Sequence, residues 1–223
     1  MWEIFNILVH YKTAFLLWLL VTLKICLYTW ILGIFFGVVL WILSNEYKST
    51  IWRINTWLYT LIEWIPVLVL LYWLYFPMQQ ILWISINSFI LAVACFAIVN
   101  MFLVAKVIKD WIENLPKQYV ISGKLTWLSN TTILLKIKLP IIFKHVIWPI
   151  IIIQITMLKN SIFASLINVD DIFRQIQRVN AIVYKPIELY SLLALFFITI
   201  SVPINIFANH LKKKYTRNFS ERV

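Results

Sequence analysis

The chain has 223 residues, 62% of them hydrophobic and only 13% charged, with a mean hydropathy of +0.86. Ordinary globular chains are about 45–50% apolar and about 25% charged, so the composition argues against a water-soluble domain. The net charge of +11 would point to nucleic acid in a soluble protein, but here the basic residues flank apolar runs and report orientation, with no nucleic-acid role.

Crossing a bilayer takes about 20 helical residues. Breaks at prolines, charge clusters and polar runs predict spans over 14–43, 54–76, 81–105, 141–158 and 187–209. The first holds a single charge, Lys24, and the third none. Residues 1–13 carry Glu3 and Lys12 and end in no small-residue cleavage site, so the first span is expected to be retained. Many of the twelve tryptophans, Trp18, Trp41 and Trp57 among them, fall near predicted membrane interfaces, where their amphipathic rings anchor a span.

Lysine and arginine count 14 in segments 44–53, 106–144 and 210–223, against 5 in 1–13, 77–80 and 159–186. Positive residues accumulate on the cytoplasmic side of short loops, which predicts the N-terminus out, the C-terminus in and a cytoplasmic segment 106–140. Within that segment Ala105–Leu115 reads as an amphipathic extension of the third span, stopped by Pro116. Ser129-Asn130 reads as the cap of a second helix leading to Leu139-Pro140. Leu125, Leu128, Ile133 and Ile137 lie near one helical face of it, which fits either a cytoplasmic partner or an interfacial helix resting on acidic lipid.

Three glycines, Gly33, Gly37 and Gly123, exclude a phosphate-cradling loop and a dinucleotide fingerprint. Cys26 and Cys95 sit inside apolar runs as packing residues, and His10, His145 and His210 are scattered, so no metal site is expected. Nor is there a Ser/His/Asp set, an H-E-x-x-H run or a paired acid for a membrane hydrolase. Asp170-Asp171 precede Arg174 and read as a helix cap with an i,i+4 ion pair. An ionisable group in hydrocarbon costs about 2.5–3.5 kcal/mol at a helix centre, so Lys24 and Glu63, both near mid-depth, are expected to pair. They either line a path or form a structural contact. Asn100 and Gln154 are deep enough to face a central cavity, or else to bond helix to helix.

In order along the chain, four stretches resemble one family. The first span carries Leu19-Leu20-Val21-Thr22-Leu23 and then Gly33-Ile34-Phe35-Phe36-Gly37, similar to L-L-x-x-L-x-V-T-L followed by G-x-x-x-G. The second reads Glu63-Trp64-Ile65-Pro66-Val67-Leu68 against R-G-T-P-L-L. A cytoplasmic stretch from Asn114-Leu115-Pro116-Lys117 through Leu128-Ser129 to Lys138-Leu139-Pro140 aligns without gaps on S-I-P-K-G-Q-W-E-A-A-x-x-L-G-L-S and a later I-L-P. Met157-Leu158-Lys159-Asn160-Ser161 through Ile167 matches L-L-K-D-T-S-L-x-S-x-I. These patterns resemble the permease subunits of polar amino-acid ABC importers. Several positions depart: Glu63 and Trp64 replace arginine and glycine, Lys106 and Lys109 replace glutamate and arginine, Ile121, Ser122 and Gly123 replace glutamate and two alanines, and Trp127 replaces glycine.

The resemblance implies an all-α polytopic membrane protein of the ABC importer type I permease fold, a single transmembrane permease domain over 1–223. It would lie in the bacterial cytoplasmic (inner) membrane, have no catalytic residue and no cofactor of its own, and assemble with a second permease subunit, the same or related. A cytoplasmic ATPase dimer would bind ATP and Mg, and an extracytoplasmic solute-binding protein could deliver a small polar solute such as an amino acid. Lys117, Ile121, Leu125, Trp127, Leu128 and Ser129 fall on the coupling segment that docks on the ATPase. Lys24, Glu63, Asn100, Gln154 and Lys159 are the candidates for the translocation path. The altered docking residues leave open a second role, a non-transporting paralogue that scaffolds or regulates a complex.

Overall fold

A computed structural model describes residues 9, 11–46, 51–113, 118, 121, 125, 127, 129 and 132–220. Helices α1 (Lys12–Glu46), α2 (Ile51–Trp64), α3 (Val67–Trp73), α4 (Gln79–Leu82), α5 (Ser88–Glu113), α6 (Leu139–Asn160), α7 (Ile172–Val183) and α8 (Pro186–Ser220) account for most of them. No strand occurs among the described residues. Four stretches are long and apolar enough to cross a membrane, Lys12–Ser44, Ser88–Glu113, Leu139–Ile167 and Pro186–Tyr215, and a fifth is the bent pair Thr56–Trp64 and Val67–Leu82.

The central helix is α5, with 61% of its most apolar window buried against 11% for α8. Its most extensive partner is α1, and α6 packs beside it. The first helix turns mostly small residues inward: Thr22, Cys26, Thr29, Gly33, Gly37 and Ser44 are buried, joined by Phe15 and Ile25, while Leu16, Leu20, Leu27, Ile31 and Phe35 are exposed. Lipid tails are as apolar as leucine, so nothing drives large side chains inward, and small residues facing inward let two helices approach. At Gly37 an added Cβ would lie 2.8 Å from the Met101 carbonyl oxygen on α5, so the G-x-x-x-G stripe is a contact between backbones.

The second span is not the straight helix expected over 54–76. It bends by 99° between Trp64 and Val67. Pro66 has no N–H to give and disfavours a helical residue before it. Helix α2 therefore ends on the Ile65 N–H to Leu61 bond, and α3 starts afresh with the Leu70 N–H on the Pro66 carbonyl. Residues 77–80, expected to be an outer link, are helical, with Pro77 in a π turn over Leu74–Met78. Gln79 then folds the chain back: its Nε2 donates to the Tyr75 carbonyl and its Oε1 accepts from the Ile86 N–H, both at 2.6 Å. The third span consequently starts at Ser88, where the Asn87 side chain accepts the Phe89 N–H at 2.9 Å, and not at 81.

The fourth span is longer than 141–158. A π turn over Ile133–Lys138 runs directly into α6 without a break at Pro140, and a 3-10 turn over Ser161–Ile167 continues it. The expected cap at Ser129 is present, its hydroxyl accepting the Thr132 N–H at 3.2 Å. The fifth span, expected over 187–209, extends into the basic tail, where the Lys212 ammonium lies 4.7 Å from the Trp148 ring centre.

Candidate functional site

Three polar arrangements stand out, and they sit at different depths. In the middle, Asn100 is fully buried on α5 and meets Gln154 on α6. Asn100 Nδ2 donates to Gln154 Oε1 at 2.9 Å and to the Thr29 carbonyl at 3.0 Å, and Gln154 Nε2 returns a bond to Asn100 Oδ1 at 3.2 Å. Both amides are spent on each other and on backbone, so these residues lock α1, α5 and α6 together. Buried amides cost most when left unpaired, and this pair is fully satisfied.

Nearer the basic end, Glu63 does not meet Lys24 as the depth argument expected. Its carboxylate lies 3.7 Å from the Lys106 ammonium on α5, and Lys106 also donates to the Tyr59 hydroxyl at 2.5 Å. The bend at Pro66 carries α2 out of the line on which mid-depth residues of two straight helices would face each other. Around this contact α2 and α5 enclose a cavity of about 270 Å³ lined by Thr56, Tyr59, Thr60, Glu63, Lys106 and Lys109, among others. Lys24 and Lys159 have exposed side chains, Lys159 in the last turn of α6.

At the far end from the basic loops, the chain after the fourth span wraps around Arg174. Its guanidinium bonds the Ser165 carbonyl at 3.0 Å, Asn168 Oδ1 at 2.6 Å and Asp170 at 3.2 Å. Asp171 caps α7 by accepting the Arg174 N–H at 2.9 Å, as the sequence predicts. The cap is buried against α1, where the Thr22 hydroxyl accepts the Ile172 N–H. Burial pushes the Asp171 carboxyl up to about 7, against the lowering effect of the N–H groups of its cap and of Arg174.

Because the folded value lies above the unfolded one, this group's contribution is complete below about pH 4 and is lost as pH rises through 7. Stability is therefore expected to rise by about 1 kcal/mol from pH 8 to pH 6, and Asp171→Asn, which keeps the cap, should flatten that rise. Parallel melting profiles of the two proteins over this range would show that Asp171 does not titrate there.

The segment expected to dock on an ATPase is described at only a few positions. Ile121, Leu125 and Trp127 are exposed, Trp127 to 96%. Trp127 has φ of 57°, in the left-handed region, at the position where the family motif has glycine. Lys117 and Leu128 lie outside the described residues. Among the described residues no group of three His, Cys, Asp or Glu is placed to hold a metal.

Full-length similarity now adds to this geometry. The chain has the fold of ABC importer permeases: it superposes on a crystal structure of an amino acid ABC transporter with histidines with a TM-score of 0.87, at 20% identity, over 94% of this chain and 98% of that one. An inward-facing structure of the MetNI methionine ABC transporter gives 0.67 at 16% identity, over 88% and 92%. Among curated proteins, it is 21% identical to the arginine ABC transporter permease protein ArtQ of Haemophilus influenzae, over 89% of this chain and 91% of the relative. It is 22% identical to the arginine transport system permease protein ArtQ of Bacillus subtilis, over 90% and 91%. No family model matches. The resemblance read from the motifs therefore holds across nearly the whole chain, and the apolar helices make it a multi-pass protein of the bacterial cytoplasmic membrane.

Proposed function

We propose that the chain is a membrane-spanning permease subunit of an ABC importer that moves a small polar solute, an amino acid by the class of its relatives. The observation that carries this reading is the whole-chain fit to an amino acid transporter at a TM-score of 0.87. A second permease chain, identical or related, completes the path. Two ATPase subunits supply the ATP and Mg chemistry from the cytoplasm, and a solute-binding protein serves the opposite face. Closure of the ATPases on nucleotide is passed to the spans through the segment 106–140.

Exposure divides the candidate path residues. Asn100 and Gln154 are buried and hold helices together, whereas Lys24, Glu63 and Lys159 have exposed side chains and are the ones able to line a path. The scaffold reading is favoured by one feature, the replaced residues of the docking stretch at Ile121 and Trp127.

The orientation is N-terminus out and C-terminus in. A reporter active only outside is expected to score at the turn near 85 and near 170, and one active only inside at 120 and 218. The reverse pattern overturns the orientation and the docking role together. Co-purification with an ATPase whose turnover rises with solute or a binding protein supports transport; a stable complex lacking any nucleotide-binding protein supports the scaffold.

A further inference from the structure

Two departures from the family's motifs meet in space. The motif of the second span has arginine where Glu63 stands, and the pattern ending the third span has glutamate where Lys106 stands. Along the sequence these are two unrelated losses. In the structure they are the two ends of one contact, Lys106 Nζ to Glu63 Oε1 at 3.7 Å. We infer that the pair is a polarity-inverted latch, keeping one charge of each sign at this contact with the signs exchanged between α2 and α5. Coulomb attraction is unchanged when the signs are exchanged, so a tie between helices survives the swap. A preference for the charge of a solute would not survive it.

Where its side chains are described, over residues 56–64, the helix that the pair holds is only shallowly packed. No residue of 56–64 is buried, and the bend at Pro66 separates α2 from the core that Leu71 joins with Leu91 and Phe96. Its described side-chain bonds to α5 are polar: Glu63 to Lys106, Tyr59 to Lys106 at 2.5 Å, and Lys109 Nζ to Thr56 Oγ1 at 3.5 Å. The Lys106 ammonium also lies 4.2 Å from the centre of the Tyr59 ring. Lys106 thus serves a carboxylate, a hydroxyl and a ring face on α2, while Asp110 of its own helix also acts on its charge, and the cavity beside it leaves space for α2 to shift. Glu63 and Lys106 are accordingly positioning residues. They set where the first half of the broken span rests against the third, a role that matters for transport only if the permease reading holds.

The test exchanges the charges in the full chain within its assembled complex. E63R and K106E each face like charges and are expected to cut the maximal uptake rate about tenfold, or 1.4 kcal/mol. E63R/K106E, which restores the family's polarity, should recover to within about twofold of the parent, with the half-saturating solute concentration unchanged throughout. An exchange no better than the worse single change overturns the latch. So does a recovered rate with a shifted half-saturating concentration, since that places solute on the pair.

Thermal unfolding of the same proteins is read in parallel, and it does not require transport. If the parent complex takes up no solute, the permease reading fails while the melting temperatures still decide: non-additive losses support the contact and strict additivity overturns it. Should a reversal prevent the chain from accumulating, E63Q, K106Q and the double change carry the same cycle.

Discussion

Gly33→Ala is expected to cost the protein several kcal/mol of stability. A Cβ at residue 33 would lie 2.5 Å from Asn100 Cγ and 2.6 Å from Asn100 Cβ, where side chains do not fit. Asn100 cannot swing aside, because it is fully buried and bonded to Thr29 and Gln154. Either α1 and α5 move apart, at the roughly 1–3 kcal/mol typical of overpacking, or the amide bonds break and leave polar groups unpaired at roughly 1–3 kcal/mol more. The melting temperature in detergent should fall and the yield with it. Asn100→Ala alone should also destabilise, but the double change should lose less than the two separate losses combined, because removing the amide clears space for the new methyl. A Gly33→Ala protein that melts with the parent would falsify the close approach.

That contact was legible in the sequence only in part: Gly33 and Gly37 stand at a four-residue spacing that lets helices approach closely, but many helices share that spacing and it names no partner. The Asp171 cap and the Asp170–Arg174 pair were legible because they are local, fixed by helix geometry within a single turn. The partner of Glu63 was not. Matching depths on two straight antiparallel helices selects Lys24, and that arithmetic fails once Pro66 turns the second span by 99°. Proline is tolerated in many membrane helices because neighbouring groups re-satisfy the freed carbonyls, so its presence alone does not announce a sharp break. The missed signal lay in the motif departures, where a lost arginine at Glu63 and a lost glutamate at Lys106 are complementary.

Trp127 separates two accounts of the segment 106–140. Its φ of 57° is a conformation that residues with a Cβ adopt at a cost of about 1–2 kcal/mol, and its indole, 96% exposed, gains no packing within this chain to offset it. Trp127→Gly should therefore leave the folded chain as stable as before, or more so. If the segment docks on an ATPase, the same change removes the largest apolar side chain offered to the partner, and buried aromatic anchors often contribute about 2 kcal/mol or more to such interfaces. ATPase retention on the purified complex is expected to fall by roughly 30-fold, the equivalent of that energy. Leu125→Asp, on a side chain exposed to 75%, should act in the same direction by placing a charge in the docking surface. If the segment instead rests on lipid, Trp127→Gly would weaken membrane contact while the ATPase stayed bound. Crosslinking from a cysteine placed at 125 distinguishes the two, because only docking joins that position to a nucleotide-binding protein. A variant that lost stability and ATPase together would mean that Trp127 packs inside the chain, against the exposure on which this expectation rests.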